Sequence, residues 1–565
     1  SALSDASSMA VARSTGIDGG AGVDEIVSVA TEGDVIDVYA ESTSTSVAAS
    51  VVVSGRMQGG IAGGGAISEA STTADAQAVG IDSGDDGGSI DNQTAIDAAT
   101  VASSTAIGAG VDVDITGDGN VQSAALSNAS SRAAAASTGI AAGDGIDSIT
   151  NSGELSALAG SSATGVAASV TVAGTAAGNV STQTVSDAKV VAESRATGID
   201  GGDGDDTIDN EGGIRLMDAV EGADTEADAE AISVAVSLEV SGSMEGDVSG
   251  DALSNASATA SATATGIDGG SGIDDIDNSG RIASDIGAVT TSVGVTIDVG
   301  VTADGDASGA ALSDASAAAI AQATGIDGGD GIDDIDNSGE LDLRARSDAV
   351  GVSAAVTVAG TMEGNASSRA VSDASVTAES DVTGISGGAG GDSINNTGLI
   401  RLMDNGDADA VATAVAVSLN VSGSLDGDVD GQALSDSSAT ANASAVGIDA
   451  GAGIDSIDNQ ADIFADVGAD VLGLAVAANV GFTLDGDATG AALSDTSAEA
   501  GASASGIDGG DDGDDIDNLA NIDISTAAES EAYAVSVSIT GSLSGVAEGN
   551  AASDASATSI AQSTG

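Results

Sequence analysis

The chain has 565 residues, 82 of them Gly, and its 11 basic and 89 acidic side chains leave a net charge of −78 with no His, Cys, Pro or Trp. That composition excludes disulfides, thiolate or imidazole metal sites and His-based catalysis, and the charge repels a nucleic-acid backbone. No apolar run approaches the ~18 residues that span a bilayer and no leader pattern opens the chain, so membrane insertion is not expected.

Acidic sequences with few aromatics are often disordered. Here the mean hydropathy is +0.19, and small or apolar residues alternate with polar ones over long stretches. The absence of Pro suits uninterrupted backbone ladders.

The chain is one continuous repeat array. A Gly-Ile pair, usually within TGID, has its glycine at Gly16, Gly80, Gly139, Gly198, Gly266, Gly325, Gly384, Gly447 and Gly506, and Gly565 falls in the same phase. The steps are 64, 59, 59, 68, 59, 59, 63, 59 and 59, a 59-residue unit lengthened in every third copy. Residues 1–15 form a partial unit, 16–197, 198–383 and 384–564 form three three-unit blocks, and 565 starts the next unit. Two lengthened units carry related inserts, IRLMDAVEGAD from Ile214 and IRLMDNGDAD from Ile400. The block period predicts three distinct environments. Neither end resembles a capping repeat, so the array is expected to continue, in a longer chain or end to end into an identical subunit.

Within the unit from Gly325 to Thr383, the order is an acidic glycine loop (GIDGGDGIDDI), an Asn-Ser-Gly turn, a Val/Ala stretch and the block AVSDASVTAESDVT. From Val350 to Val382 the small or apolar residues keep one parity, which predicts strand. A 33-residue strand must bend, and the expected corner is Gly360 to Gly364, echoed at Gly174 and Gly178. Such a thin Ala/Val core buries little alone. Stacked copies pair every edge, so the expected fold is all-β, a repetitive parallel β-solenoid of nine ~59-residue units. Periodicity leaves open whether a rung takes 59 residues or about 20.

Two markers recur. Asparagine follows the loop isoleucine at Asn92, Asn151, Asn210, Asn278, Asn337, Asn396, Asn459 and Asn518, with Ser28 in the first unit. It reads either as a turn residue or as a turn residue that also stacks in an amide ladder. The LSDAS block, at Leu3, Ile67, Leu126, Val185, Leu253, Leu312, Val371, Leu434 and Leu493, puts one larger apolar residue where a core position is expected. The N-x-S/T sequons, such as those at Asn92 and Asn420, read as chance in a Ser-rich chain.

The one constellation with chemistry is GGDGIDDI, Gly328 to Ile335. It fits G-G-x-G-x-D-x-U-x and resembles the calcium-binding nonapeptides of RTX, haemolysin-type proteins. The match recurs at Gly19 to Ile26, Gly201 to Ile208, Gly269 to Ile276 and Gly387 to Ile394, and more loosely at Ala142 to Ile149 and Ala450 to Ile457. Glycines with φ > 0 turn carbonyls, an aspartate adds hard oxygens, and calcium takes six to eight oxygens. The resemblance implies Ca2+ at Asp24, Asp147, Asp206, Asp274, Asp333, Asp392, Asp455 and Asp514. A second aspartate precedes the glycines at Asp18, Asp82, Asp200, Asp268, Asp327, Asp449 and Asp508, and all of these but Asp82 are also candidate ligands. Gly88 replaces the ligand aspartate in one unit, and Asp512 stands where another expects glycine. RTX repeats come in tandem, whereas here each unit has one. The alternative is an acidic turn that keeps the edge soluble.

IDNSGEL and the IRLMD inserts also look like autotransporter and large-adhesin repeats, which points outside the cell. The expectation is an extracellular or cell-surface structural protein that self-assembles into a filament, sheath or matrix fibre. Its partner would be itself, end to end and laterally, with cell-surface or polysaccharide contacts. The alternative is the stalk of a secreted adhesin. An enzyme is not expected, because the carboxylates repeat in phase and sugar sites need aromatic platforms.

Overall fold

A computed structural model describes residues 1–29, 33–57, 60–217, 229–403, 408–510 and 512–565. The strands of the described residues all pair in parallel, in three large sheets that wind together as a β-solenoid and one two-strand pairing in the acidic loops, Ser271–Gly272 with Asp330–Gly331. One rung comprises a short strand (Asp334–Asn337), a long strand (Leu341–Glu363) and a second long strand (Ala366–Ser386). We call the three sheets the short, valine and serine sheets. The register settles the rung length: Ile276 lies beside Ile335, Ile282 beside Leu341 and Ala307 beside Ala366, each 59 residues on. The corner between the long strands falls at Gly364, φ +128°, as the glycine pattern predicts.

The core has two compartments. Where the short sheet closes the cross-section, Ile326, Ile335, Leu341 and Leu343 fill a triangular space and repeat from rung to rung. Beyond it the valine and serine sheets face each other directly, and Ala, Ser, Thr and Gly line the gap. Facing sheets usually lie about 10 Å apart. Here a single serine side chain spans the interval: Ser127 Oγ donates to Ala168 O at 2.7 Å, Ser254 Oγ to Val295 O at 2.7 Å and Ser353 Oγ to Ser313 O at 2.8 Å.

This closeness reverses two sequence expectations. In the first long strand the valine parity, including Val350, Val352, Val356 and Val358, faces outward, and the buried parity is Gly351, Ser353, Ala355, Thr357 and Ala359; beyond the corner the same parity, with Val376 and Val382, is buried. In LSDAS the leucine also points out, with Leu126 37% and Leu493 38% exposed, while the serine beside it is buried. A gap that one hydroxymethyl group bridges takes a valine where glycine stands opposite, as Val376 meets Gly351 and Val190 meets Gly165, and elsewhere valines such as Val352 and the LSDAS leucines take the outer face.

The turn after each short strand is locked axially. Asn92 Nδ2 donates to Asn151 Oδ1 at 2.7 Å, and the link repeats through Asn210, Asn278, Asn337, Asn396, Asn459 and Asn518 at 2.7–2.8 Å. The same amides hold their own turns, as in Asn278 Nδ2 to Gly280 O at 3.0 Å. The asparagine is thus both turn residue and ladder.

The lengthened units do not make a different rung. Their valine strand is interrupted near its start: Ile214–Met217 resumes as Ala229–Glu245, and Ile400–Leu402 as Ala410–Asp426. In the first unit the extra residues fall mainly between Asp24–Ser28 and Val35–Arg56. The inserts themselves lie largely outside the described residues. The block period therefore marks one flank every third rung, and the three rungs of a block share one cross-section.

Candidate cation-binding loops

Each acidic loop leaves the serine sheet at Ile-Asp and enters the short sheet. Its second glycine is left-handed in rung after rung: Gly202 at φ +92°, Gly270 at +94°, Gly329 at +94°, Gly388 at +93° and Gly451 at +88°. A Cβ on Gly329 would overlap the carbonyl oxygen of Gly270 in the rung below, so stacking as well as φ demands glycine. Asp512, at the irregular loop, is forced to φ +97°.

Because a rung is 59 residues, the loops stack, which is the condition under which neighbouring loops can share ions. The backbone of Asp147 donates to Asp206 Oδ1 at 2.7 Å, and the pattern continues through Asp274, Asp333, Asp392, Asp455 and Asp514 at 2.7–3.1 Å. These aspartates form one axial column, and those from Asp147 to Asp455 are 1–3% exposed. Asp24 and Asp514, in the outermost rungs, are only half-buried. Gly88 interrupts the column in the second unit.

The other carboxylate oxygen is left over. Oδ2 of Asp24, Asp206, Asp274, Asp333, Asp392 and Asp455 is buried and has no hydrogen-bond partner among the described residues. Those of Asp24, Asp206, Asp274, Asp333 and Asp392 point at the loop's first glycine, whereas Ala450 takes that position in the loop of Asp455. A Cβ on Gly269 would lie 3.1 Å from Asp274 Oδ2 and 2.5 Å from Gly328 O of the next rung; on Gly328, 3.0 Å from Asp333 Oδ2 and 2.7 Å from Gly387 O. The missing side chain thus leaves a cradle edged by a carboxylate and a carbonyl of adjacent rungs. Burial, then like charge along the column, pushes Asp147 and Asp392 up to about 6, while burial and the neighbouring acids push Asp274 to about 7.

The second aspartate set forms a separate column, in which Asp200 pairs in register with Asp268 and Asp268 with Asp327. Asp18, with Asp82, and Asp508, with Asp449, extend it in the outer rungs. These side chains serve the turn: Asp82, Asp449 and Asp508 accept from the backbone N–H two residues on, each at 3.1 Å. Burial, then the charges of Asp200 and Asp327, raises Asp268 to about 6. The two sets run close enough that, after burial, the charge of Asp327 helps raise Asp333, but no group of three acidic side chains is arranged to hold a metal ion among the described residues.

The donors are hard oxygens, orphaned and preorganised, which fits a hard cation. Each cradle gathers two of them, fewer than the six to eight that calcium takes, so the protein supplies only part of a shell.

Sequence reasoning missed two further acidic features. The outer face of the short sheet stacks Asp209, Asp277 and Asp336 in register, and burial and these neighbours raise Asp277. The alternation of Asp around the buried isoleucine in I-D-x-I-D-N was the available signal. Inside the solenoid, Asp112, Thr171, Glu239, Asp298, Thr357, Asn420 and Asn479 form one column between the long sheets, each 0% exposed. Glycine faces the long members in their own rungs: Gly250 opposite Glu239, Gly309 opposite Asp298, Gly431 opposite Asn420 and Gly490 opposite Asn479. A lone acid on the small-residue parity, as in TIDVGV, was the signal there.

No known family, no curated protein and no solved structure matches the chain.

Proposed function

We propose that the chain is an extracellular structural protein, a stiff solenoid that self-assembles into a filament, sheath or matrix fibre and holds calcium along its acidic loops. The observation that carries this is the unbroken register. Asparagine and aspartate columns run rung upon rung, each locked by axial hydrogen bonds, so the molecule is a rod built for regular length. Asp206, Asp274, Asp333 and Asp392 would hold the cation through Oδ2, each beside the carbonyl that the next rung presents at the first-glycine position. The ion would supply the positive charge that a net −78 lacks. Millimolar calcium outside the cell suits such a column, since partial shells give weak sites.

The test is negative-stain electron microscopy with and without a calcium chelator at fixed ionic strength. Filaments that fray with the chelator support the reading. Filaments that survive keep the structural role and reduce the loops to acidic turns. No filaments in either condition makes the chain a stalk for a binding tip elsewhere.

A further inference from the structure

The outer face of the valine sheet carries one uninterrupted apolar patch, flanked toward the strand starts by charged residues such as Asp348 and Asp470. Four columns run the length of the solenoid through nine rungs. The first goes from Val47 to Tyr533 by way of Val166, Val293 and Val352; the others run from Ala49 to Val535, from Val51 to Val537 and from Val53 to Ile539. All 36 positions hold Ala, Val, Ile or Leu, apart from Tyr533. At about 6.6 Å between columns and about 4.8 Å between rungs, the face covers roughly 1,100 Å². The largest apolar patch on a typical monomer is about 300–600 Å². The serine sheet's outer face is its opposite: the strand Ala366–Ser386 turns Arg369, Asp373, Ser375, Thr377 and Asp381 to solvent.

Parallel sheets occur almost only with both faces covered. The valine sheet has one face against the serine sheet and the other uncovered, in a protein otherwise crowded with acids.

We infer that this face is the lateral interface between two copies of the chain, packed valine sheet against valine sheet. Three observations select a second copy as the occupant. The area exceeds the about 800 Å² per partner that a stable interface needs. The four columns carry no charge, so the −78 on each copy is held beside them and on other faces, whereas an anionic lipid surface would meet those acids directly. The ridges repeat at the rung spacing over nine rungs, and another copy matches that spacing by construction. A two-fold axis then sets each column against its equivalent, a self-complementary contact. The contact is flat because the outward residues are β-branched, and a sheet pair of this kind packs at about 10 Å.

The inference rests on the assembly reading only in that both require copies to meet; it needs neither calcium nor end-to-end growth. The test is sedimentation velocity across a hundredfold concentration range at fixed calcium and ionic strength. The wild-type chain is expected to run at twice its 52.7 kDa mass. The double variant V352K/V356K should be monomeric with an unchanged circular-dichroism spectrum. V352T/V356T, which keeps β-branching and so the fold, should weaken the dimer at least tenfold. S375K/T377K, on the serine sheet's outer face, should leave it intact. A monomeric wild type, or a dimer indifferent to the valine-face variants, overturns the interface. A monomer that co-sediments with zwitterionic vesicles through Val352 and Val356 replaces it with a lipid surface. Failure of filament growth with the dimer preserved counts against the assembly reading alone.

Discussion

Replacing Asp298 with asparagine should make the solenoid more stable at pH 8 and leave it nearly unchanged at pH 4.5. Asp298 is 0% exposed and lies beside Glu239 of the adjacent rung, also 0% exposed. Glu239 Oε1 and Asp298 Oδ1 both occupy the space a Cβ on Gly250 would take, and neither Asp298 oxygen has a side-chain partner among the described residues. Thr182 donates to Glu239, and among the described residues no basic group offsets either carboxyl. Burial first, then the charges of Glu239 and Asp251, raises Asp298 from 3.8 to about 8, and burial raises Glu239 to about 7. Between these limits the folded chain keeps a proton that the unfolded chain has lost, so stability falls as pH rises from about 4 to about 8. At about 1.4 kcal/mol per pH unit, the loss from Asp298 is on the order of 5 kcal/mol.

Asparagine has no such titration, and the same column already uses it: Asn420 Nδ2 donates to Asn479 Oδ1 at 2.7 Å two rungs further on. Gly309 leaves the room that the amide needs. Thermal unfolding followed by circular dichroism, at constant ionic strength from pH 4.5 to 8.5, should show a midpoint raised by roughly 4 °C at pH 8 and a flatter pH dependence. An equal shift at both ends of the range, or a lower midpoint at pH 8, would refute the argument that a neutral buried carboxyl occupies this column.

Three further outcomes follow from the loops and ladders. Asn337→Ala removes one link between Asn278 and Asn396 and leaves buried amide groups short of partners, so it should cost about 2–4 kcal/mol in denaturant melts. Asp333→Asn deletes one orphaned carboxylate; the variant should melt higher than wild type in chelator, and added calcium should raise its midpoint less. Gly329→Ala meets both a left-handed φ and the carbonyl of Gly270, and should lower the melting midpoint more than Gly360→Ala, where a Cβ has nothing within 4 Å.

Repetition made the architecture legible. The 59-residue phase, the period-two alternation and the glycine corner gave the parallel solenoid, its bend and its stacked loops, because each is a local pattern reinforced nine times. The asparagine ladder was half legible. The residue type and its spacing were visible, but whether amides on successive units touch depends on a rung being 59 residues, which only pairing between distant segments fixes.

The direction of each strand face was not legible. A period of two says that Val350 and Gly351 point opposite ways and does not say which way is in. Valine and leucine would be assigned to the core by hydrophobicity alone, and that assignment is wrong here. What reverses it along the valine sheet is the distance between the long sheets, a tertiary quantity: at a spacing that Ser353 bridges to Ser313, small residues fill most positions, and glycine stands opposite larger ones such as Glu239, Asp298 and Val376. The sequence by itself thus determined the repeat, the strands and the acidic loops. The tertiary structure alone decided which face is buried, and with it the orphaned aspartate column, the hidden acids at Glu239 and Asp298, and the apolar face left outside.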